Sequence, residues 1–159
     1  MQEKPFVAAA GHAQIVRIST GGAMEIGTIE DVDIPAVLDL WGRCGLLHPS
    51  NDARADVARA RSAPNATLLV GRKDGAVIAT AMAGFDGHRG WVYYLAVEPR
   101  RRRAGHGKAM LAAAEGWLRE RGAPKVMLMV AESNGGVRGF YEKLGFTRSP
   151  VVTMGKLLR

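Results

Sequence analysis

The segment that most constrains this chain is an apolar run, Trp91 to Val97, that passes through Pro99 into a basic glycine loop, Arg100 to Lys108, and on into an amphipathic helix. Aromatic and β-branched residues dominate the run, which is too apolar for a strand at a solvated edge, so it belongs inside a sheet. After the loop, Met110, Leu111, Ala114, Trp117 and Leu118 recur at helical spacing on one face, and Gly122 ends the pattern. A strand that opens through glycines into a helix is a general anion-binding device: the first helical amides lack partners and the macrodipole favours negative charge. Gly105 and Gly107 remove side chains where an anion would approach, and Arg102, Arg103 and Lys108 add attraction.

The rest of the chain supplies layers around that unit. Asp33 offers a cap, Pro35 suits a first turn, and Ile34, Val37, Leu38 and Trp41 share one face, which predicts a helix. Asp52 offers a cap for a second, weaker helix to about Arg61. Thr67 to Arg72 and Val77 to Phe85 read as strands joined by a tight turn through Asp74-Gly75, and the Asp86-Gly87-His88-Arg89-Gly90 turn leads into the apolar run. Further on, Val126 to Val130 reads as an interior strand, Val137, Phe140, Tyr141 and Leu144 as a helix face, and Phe146 to Leu157 as a strand broken near Pro150. The expected order is strand, two helices, three strands, then helix, strand, helix, strand. Residues 1–23, mixed in Ala, Gly, Gln and Ser, read as an extension, with the domain running from 24 to 159.

At 159 residues the chain suits one domain, and its 47% hydrophobic and 23% charged residues suit a packed fold rather than disorder. A single cysteine, Cys44, can form no internal disulfide and no zinc cluster, which makes the cytoplasm the expected compartment. No apolar run approaches the ~20 residues of a bilayer span, so no membrane partner is expected. The net charge of +7 invites a nucleic-acid reading, but four of the 22 basic residues form the block Arg100 to Arg103 and the others are scattered. A local anion site accounts for this better than a basic stripe, and nucleic acid is not the expected partner.

Taken together, Arg102-Arg103-Ala104-Gly105-His106-Gly107, the preceding Leu95-Ala96-Val97-Glu98-Pro99, and the segment from Asn134 through Phe140-Tyr141 to Gly145-Phe146 resemble, in order, the motifs of the GNAT family of N-acetyltransferases. Met24-Glu25-Ile26, Leu40 to Cys44 and the 86–90 turn look closest to its small bacterial YpeA-like subgroup. The resemblance implies an α+β fold: a central, mostly antiparallel sheet of six to seven strands with a splayed parallel pair, the family's fourth and fifth strands, and about four helices. It implies acetyl-coenzyme A (acetyl-CoA) as cosubstrate and a primary amine, of a small molecule or a protein, as acceptor, with no metal. Cofactor contacts would come from Leu95, Ala96 and Val97 along the pantetheine arm, from Arg102, Arg103, Ala104, Gly105, His106, Gly107 and Lys108 at the diphosphate, and from Asn134 and Tyr141.

Tyr141 is the candidate general acid, because a phenol within reach can protonate a departing thiolate. Asp86, His88 and Glu132 are candidate bases, with a water chain as alternative. Helix one and the loop after it would supply the acceptor wall, where Trp41, Arg43, Asn51 and Asp52 stand. The chain also resembles ribosomal-protein alanine acetyltransferases at Ser133-Asn134, but Met129 stands where those carry a glutamate in the fifth strand. A homodimer fits this class; a nucleic-acid module built on Arg100 to Arg103 and a non-catalytic acyl-CoA sensor are the other two readings.

Overall fold

The computed structural model describes residues 16–17 and 23–158 and divides the chain into two compact units, Met1–Leu128 and Met129–Arg159. Among the described residues the first unit holds a six-stranded sheet in sequential order: β1 (Val16–Arg17), β2 (Glu25–Thr28), β3 (Ala66–Lys73), β4 (Ala76–Phe85), β5 (Gly90–Val97) and β6 (Val126–Met127). Every neighbouring pair is antiparallel except β5 and β6, which are parallel. The Asp74-Gly75 turn between β3 and β4 has φ of 52° and 78°, the double positive angle that a two-residue hairpin requires.

Its described residues also form three α-helices: α1 (Ile34–Arg43), α2 (Ala53–Ser62) and α3 (His106–Glu120). Val37, Leu40 and Trp41 of α1 and Val57 and Ala60 of α2 are buried in one cluster with Leu68, Val70 and Ala96 of the sheet. Met110, Leu111, Ala114 and Leu118 are the buried face of α3, and Leu118 lies directly against Gly90. Trp117, expected on that face, is only half-buried and carries the Arg121 guanidinium 3.6 Å above its ring. The arrangement is the expected mixed α+β fold with a mostly antiparallel sheet.

Several local expectations change. Val16–Arg17, inside the expected extension, pairs with Ile26 and Glu25; the remainder of residues 1–22 lies outside the described residues. Asp33 does not cap α1. Its buried carboxylate accepts from the Glu30 amide at 2.7 Å and from the Arg72 guanidinium, and is thereby occupied. The strand expected over Val126 to Val130 pairs at only two positions and is the last in the sheet, because it meets β5 only at Gly90 and Trp91.

The second unit contains α4 (Gly135–Lys143). Phe146 to Leu157, expected as a strand, forms none: Pro150 lacks a donor and the segment finds no ladder partner among the described residues. From Val151 onward its apolar side chains are left in solvent, Val152 at 89% and Met154 at 91% exposure. Among the described residues no helix is long and apolar enough to cross a membrane.

Candidate active site

The open edge of β5 is the central feature of the first unit. The Gly90 amide donates to Lys125 at 2.9 Å on the β6 side, and pairing to β6 stops after Trp91, so from Val92 onward that edge has no strand partner among the described residues. On the other edge β5 stays paired to β4 as far as Val97, and the Glu98 amide donates to Ile78 at 2.8 Å. Alternation back from Glu98 directs the peptide groups of Leu95 and Val97 away from β4, toward the open edge. Pairing is not continuous, however: the β4–β5 register shifts between Thr80 and Met82, opposite Tyr94, which has φ of 48°. This is a β-bulge with a non-glycine residue at the left-handed position.

From β5 the chain reaches α3 through a loop with two further left-handed residues, Arg103 at φ 65° and Gly105 at 84°. Gly105 is the N-cap and offers no side-chain hydrogen bond; the first helical bond runs from Ala109 to Gly105 at 3.0 Å. The amides of His106, Gly107 and Lys108 therefore have no partner among the described residues. The Arg102 guanidinium folds back to the Val97 carbonyl, with Nε at 3.3 Å, and touches Cys44 Sγ at 3.7 Å. Partial burial, with the cations of Lys73 and Arg101, lowers the pKa of His106 and keeps its imidazole neutral at pH 7. An open strand edge ending at free helix-start amides suits a ligand that has amide groups on one part and a diphosphate on the other, as coenzyme A does.

The acceptor-wall expectations fare unevenly. Trp41 is completely buried, so it cannot touch an acceptor; its indole donates to Thr80 Oγ1 at 2.9 Å and its ring stacks on Tyr94 with centroids 3.8 Å apart. Arg43 is engaged by Asp39 at 2.9 Å and by Glu98. Asp52 caps α2, accepting from the Ala55 amide at 3.0 Å, and Asn51 beside it is exposed. Sequence reading missed Tyr94 and Asp56, whose phenol and carboxylate meet at 2.6 Å. Burial first, then that carboxylate, pushes the Tyr94 phenol up to about 12. The signal was available only in part: Asp56 lies one helical turn after the Asp52 cap, but nothing local places it opposite Tyr94.

Asp86 and His88 do not join this arrangement. Asp86 accepts from the amides of Arg89 and His88 at 2.6 and 2.7 Å and from Trp91 Nε1 at 3.1 Å, and those donors lower its pKa. It is a turn former, and a weak base. The turn sits at the start of β5, and the strand from Gly90 to Val97 spans roughly 23 Å at ~3.3 Å per residue.

Glu132, Asn134 and Tyr141 belong to the second unit. Glu132 is exposed. Asn134 stands at the N-cap of α4 without a side-chain cap bond, its carbonyl accepting from the Val137 amide at 3.2 Å. Tyr141 makes edge contacts with Phe140 and Phe146, centroids 5.1 and 5.7 Å away, and burial raises its pKa.

A bulged interior strand with an open edge, leading to a helix start with free amides, is the frame of this α+β fold. The chain belongs to the acetyltransferase (GNAT) family, whose match covers residues 34–146. Among solved structures it is similar to an acetyltransferase of Trypanosoma brucei, at 26% identity and a TM-score of 0.65 over 84% of this chain and 99% of that one. It is also similar to AAC(6')-Iy bound to the bisubstrate analogue CoA-S-monomethyl-acetylneamine, at 19% identity and a TM-score of 0.71 over 86% and 99% of the two chains. The glucosamine-6-phosphate N-acetyltransferase of Arabidopsis thaliana gives 19% identity and a TM-score of 0.67 over 86% and 99%.

Proposed function

We propose that this chain is an acetyl-CoA-dependent N-acetyltransferase that transfers acetyl to a primary amine by direct attack within a ternary complex. Family membership supports the class of reaction. The observation that carries the cofactor is the open edge of β5 ending at the free amides of His106, Gly107 and Lys108. Bound there, the thioester would supply the activated acetyl group.

The chain's own residues would do the following. Helix-start amides and the left-handed Gly105 bind diphosphate oxygens, while the peptide group of Leu95 and the amide of Val97, whose carbonyl already accepts from Arg102 and Cys44, pair with the pantetheine arm. Tyr141, its pKa raised by burial, holds its proton at neutral pH and gives it to the sulfur that leaves. Asp86, His88, Glu132 or a water chain would take the amine's proton; the turn bonds that lower the pKa of Asp86 make it the weaker base among them. The motifs at 24–26 and 40–44 support the YpeA-like subgroup, and the single cysteine supports a cytoplasmic location.

Two measurements test this. Acetyl-CoA at millimolar concentration should raise the melting temperature, since a ligand of the folded state stabilises it, and duplex DNA should not. Release of free coenzyme A should then follow addition of a primary amine. Failure of acetyl-CoA to stabilise the chain would end the cofactor reading; binding without any amine-dependent release across small-molecule and peptide amines would favour an acyl-CoA sensor.

A further inference from the structure

The bulge at Tyr94 reverses the facing of β5. Gly90 lies against Leu118 of α3, and Val92 shares its side by alternation. Tyr94 and Ala96 continue the same parity, yet they pack on the opposite face, in the cluster with Val37, Leu40, Trp41 and Val57. The peptide groups change phase with the side chains. On an unbroken strand Tyr94 and Ala96 would present their amides and carbonyls to the open edge; with the bulge it is Leu95 and Val97 that do so.

Such a conformation has to be held, because a tyrosine at φ of 48° is unfavourable in itself. The hold comes from two side chains that are both completely buried, Thr80 and Trp41. Thr80 Oγ1 donates to the Tyr94 carbonyl at 2.7 Å, and Trp41 Nε1 donates to Thr80 Oγ1 at 2.9 Å. The order is enforced by chemistry: an indole N–H can only donate, so it fills an acceptor site on the hydroxyl and leaves the single hydroxyl proton for the carbonyl. The Trp41 ring stacks on the Tyr94 ring at an interplanar angle of 14°, and Asp56 holds the phenol, so the bulged residue is fixed at both backbone and side chain.

We propose that Thr80, oriented by Trp41, is a positioning residue that sets the phase of β5 so that Leu95 and Val97 face the bound cofactor. The proposal rests on the acetyl-CoA reading given above. Thr80 touches neither cofactor nor acceptor; it acts through the Tyr94 carbonyl.

The test uses the full chain with Thr80→Val, which keeps shape but loses the relay, Thr80→Ser, which keeps the hydroxyl, and Trp41→Phe, which keeps a stacked ring but loses the donor. Circular dichroism establishes folding, calorimetry gives the acetyl-CoA Kd, and proton–nitrogen correlation spectra report the amides of Tyr94 to Val97. Folded Thr80→Val should bind acetyl-CoA about tenfold or more weakly with displaced signals confined to those amides, and Thr80→Ser should stay within about twofold of the wild type. Trp41→Phe should move in the same direction as Thr80→Val and carries the comparison if the valine variant does not fold. Wild-type affinity and undisplaced amides in either folded variant would overturn the proposal, as would a serine variant no better than valine. A wild-type chain that fails to bind acetyl-CoA overturns the cofactor reading and the role assigned to Thr80 with it, while the amide signals still decide whether Thr80 holds the bulge.

Discussion

Replacing Gly105 by alanine isolates the backbone demand of the loop from its charge. Gly105 has φ of 84°, and no atom lies within 4 Å of where its Cβ would stand, so alanine introduces no clash inside the chain and costs only the left-handed conformation, about 1–2 kcal/mol. Gly75 in the β3–β4 turn is a matched control, with φ of 78° and equally open surroundings. Both variants should melt a few degrees lower, about 2–8 °C at 2–4 °C per kcal/mol for a chain of this length. They should part in binding. If Gly105→Ala relaxes the loop, restoring the left-handed turn taxes the ligand by up to the same 1–2 kcal/mol, about 5- to 30-fold in Kd, and the new methyl stands where a diphosphate approaches. Gly75→Ala should leave the acetyl-CoA Kd unchanged. Calorimetric titration of the two variants beside the wild type checks this, and equal affinities for all three would refute the assignment of the loop to the diphosphate.

Tyr141→Phe should lower kcat by about 100-fold while the acetyl-CoA Kd holds, read by single-turnover release of coenzyme A; full turnover would remove the phenol from the mechanism. Alkaline difference spectroscopy should find a tyrosine ionising near 12, and Asp56→Asn should bring that step down, since the carboxylate contributes to holding the Tyr94 phenol neutral. At Asp33 burial opposes ionisation, but hydrogen bonds from Arg72 and the Glu30 amide outweigh it and lower the pKa. A depressed carboxylate contributes stability above its unfolded value of 3.8 and loses it as pH falls through the folded value. Asp33→Asn should therefore melt about 4–8 °C lower at pH 7, for about 2 kcal/mol, and the gap from wild type should narrow progressively in melts taken below pH 3.8.

What could be read from the sequence was what neighbouring residues decide among themselves. Asp74-Gly75 specifies its turn because two positive φ angles are needed within two residues; Asp52 caps α2 because the amide it satisfies is three residues away. The glycine loop was legible for the same reason. Asp33 looked like a cap by the identical rule, yet Arg72, 39 positions on, took its carboxylate. The bulge at Tyr94 carried no glycine to announce it, and its supports, Thr80 and Trp41, are contributed by β4 and α1. Trp41 followed helical spacing faithfully, but spacing fixes only the face, not what the indole nitrogen meets. Failure of the final strand has the same root: alternation in Phe146 to Leu157 can propose a strand, and only a partner's backbone can complete one.

The short pairing of β6 has a consequence for how the chain behaves in bulk. An apolar strand whose row of backbone donors and acceptors lacks a strand partner among the described residues from Val92 onward is a template on which another extended chain can grow. Natural sheets blunt such edges with charge, proline or a covering segment, and between Val92 and Val97 this strand carries neither charge nor proline. A ligand lying along that row would thus act as a colloidal protectant as well as a reactant, and concentrated stocks of the protein should keep longer with coenzyme A present than without it.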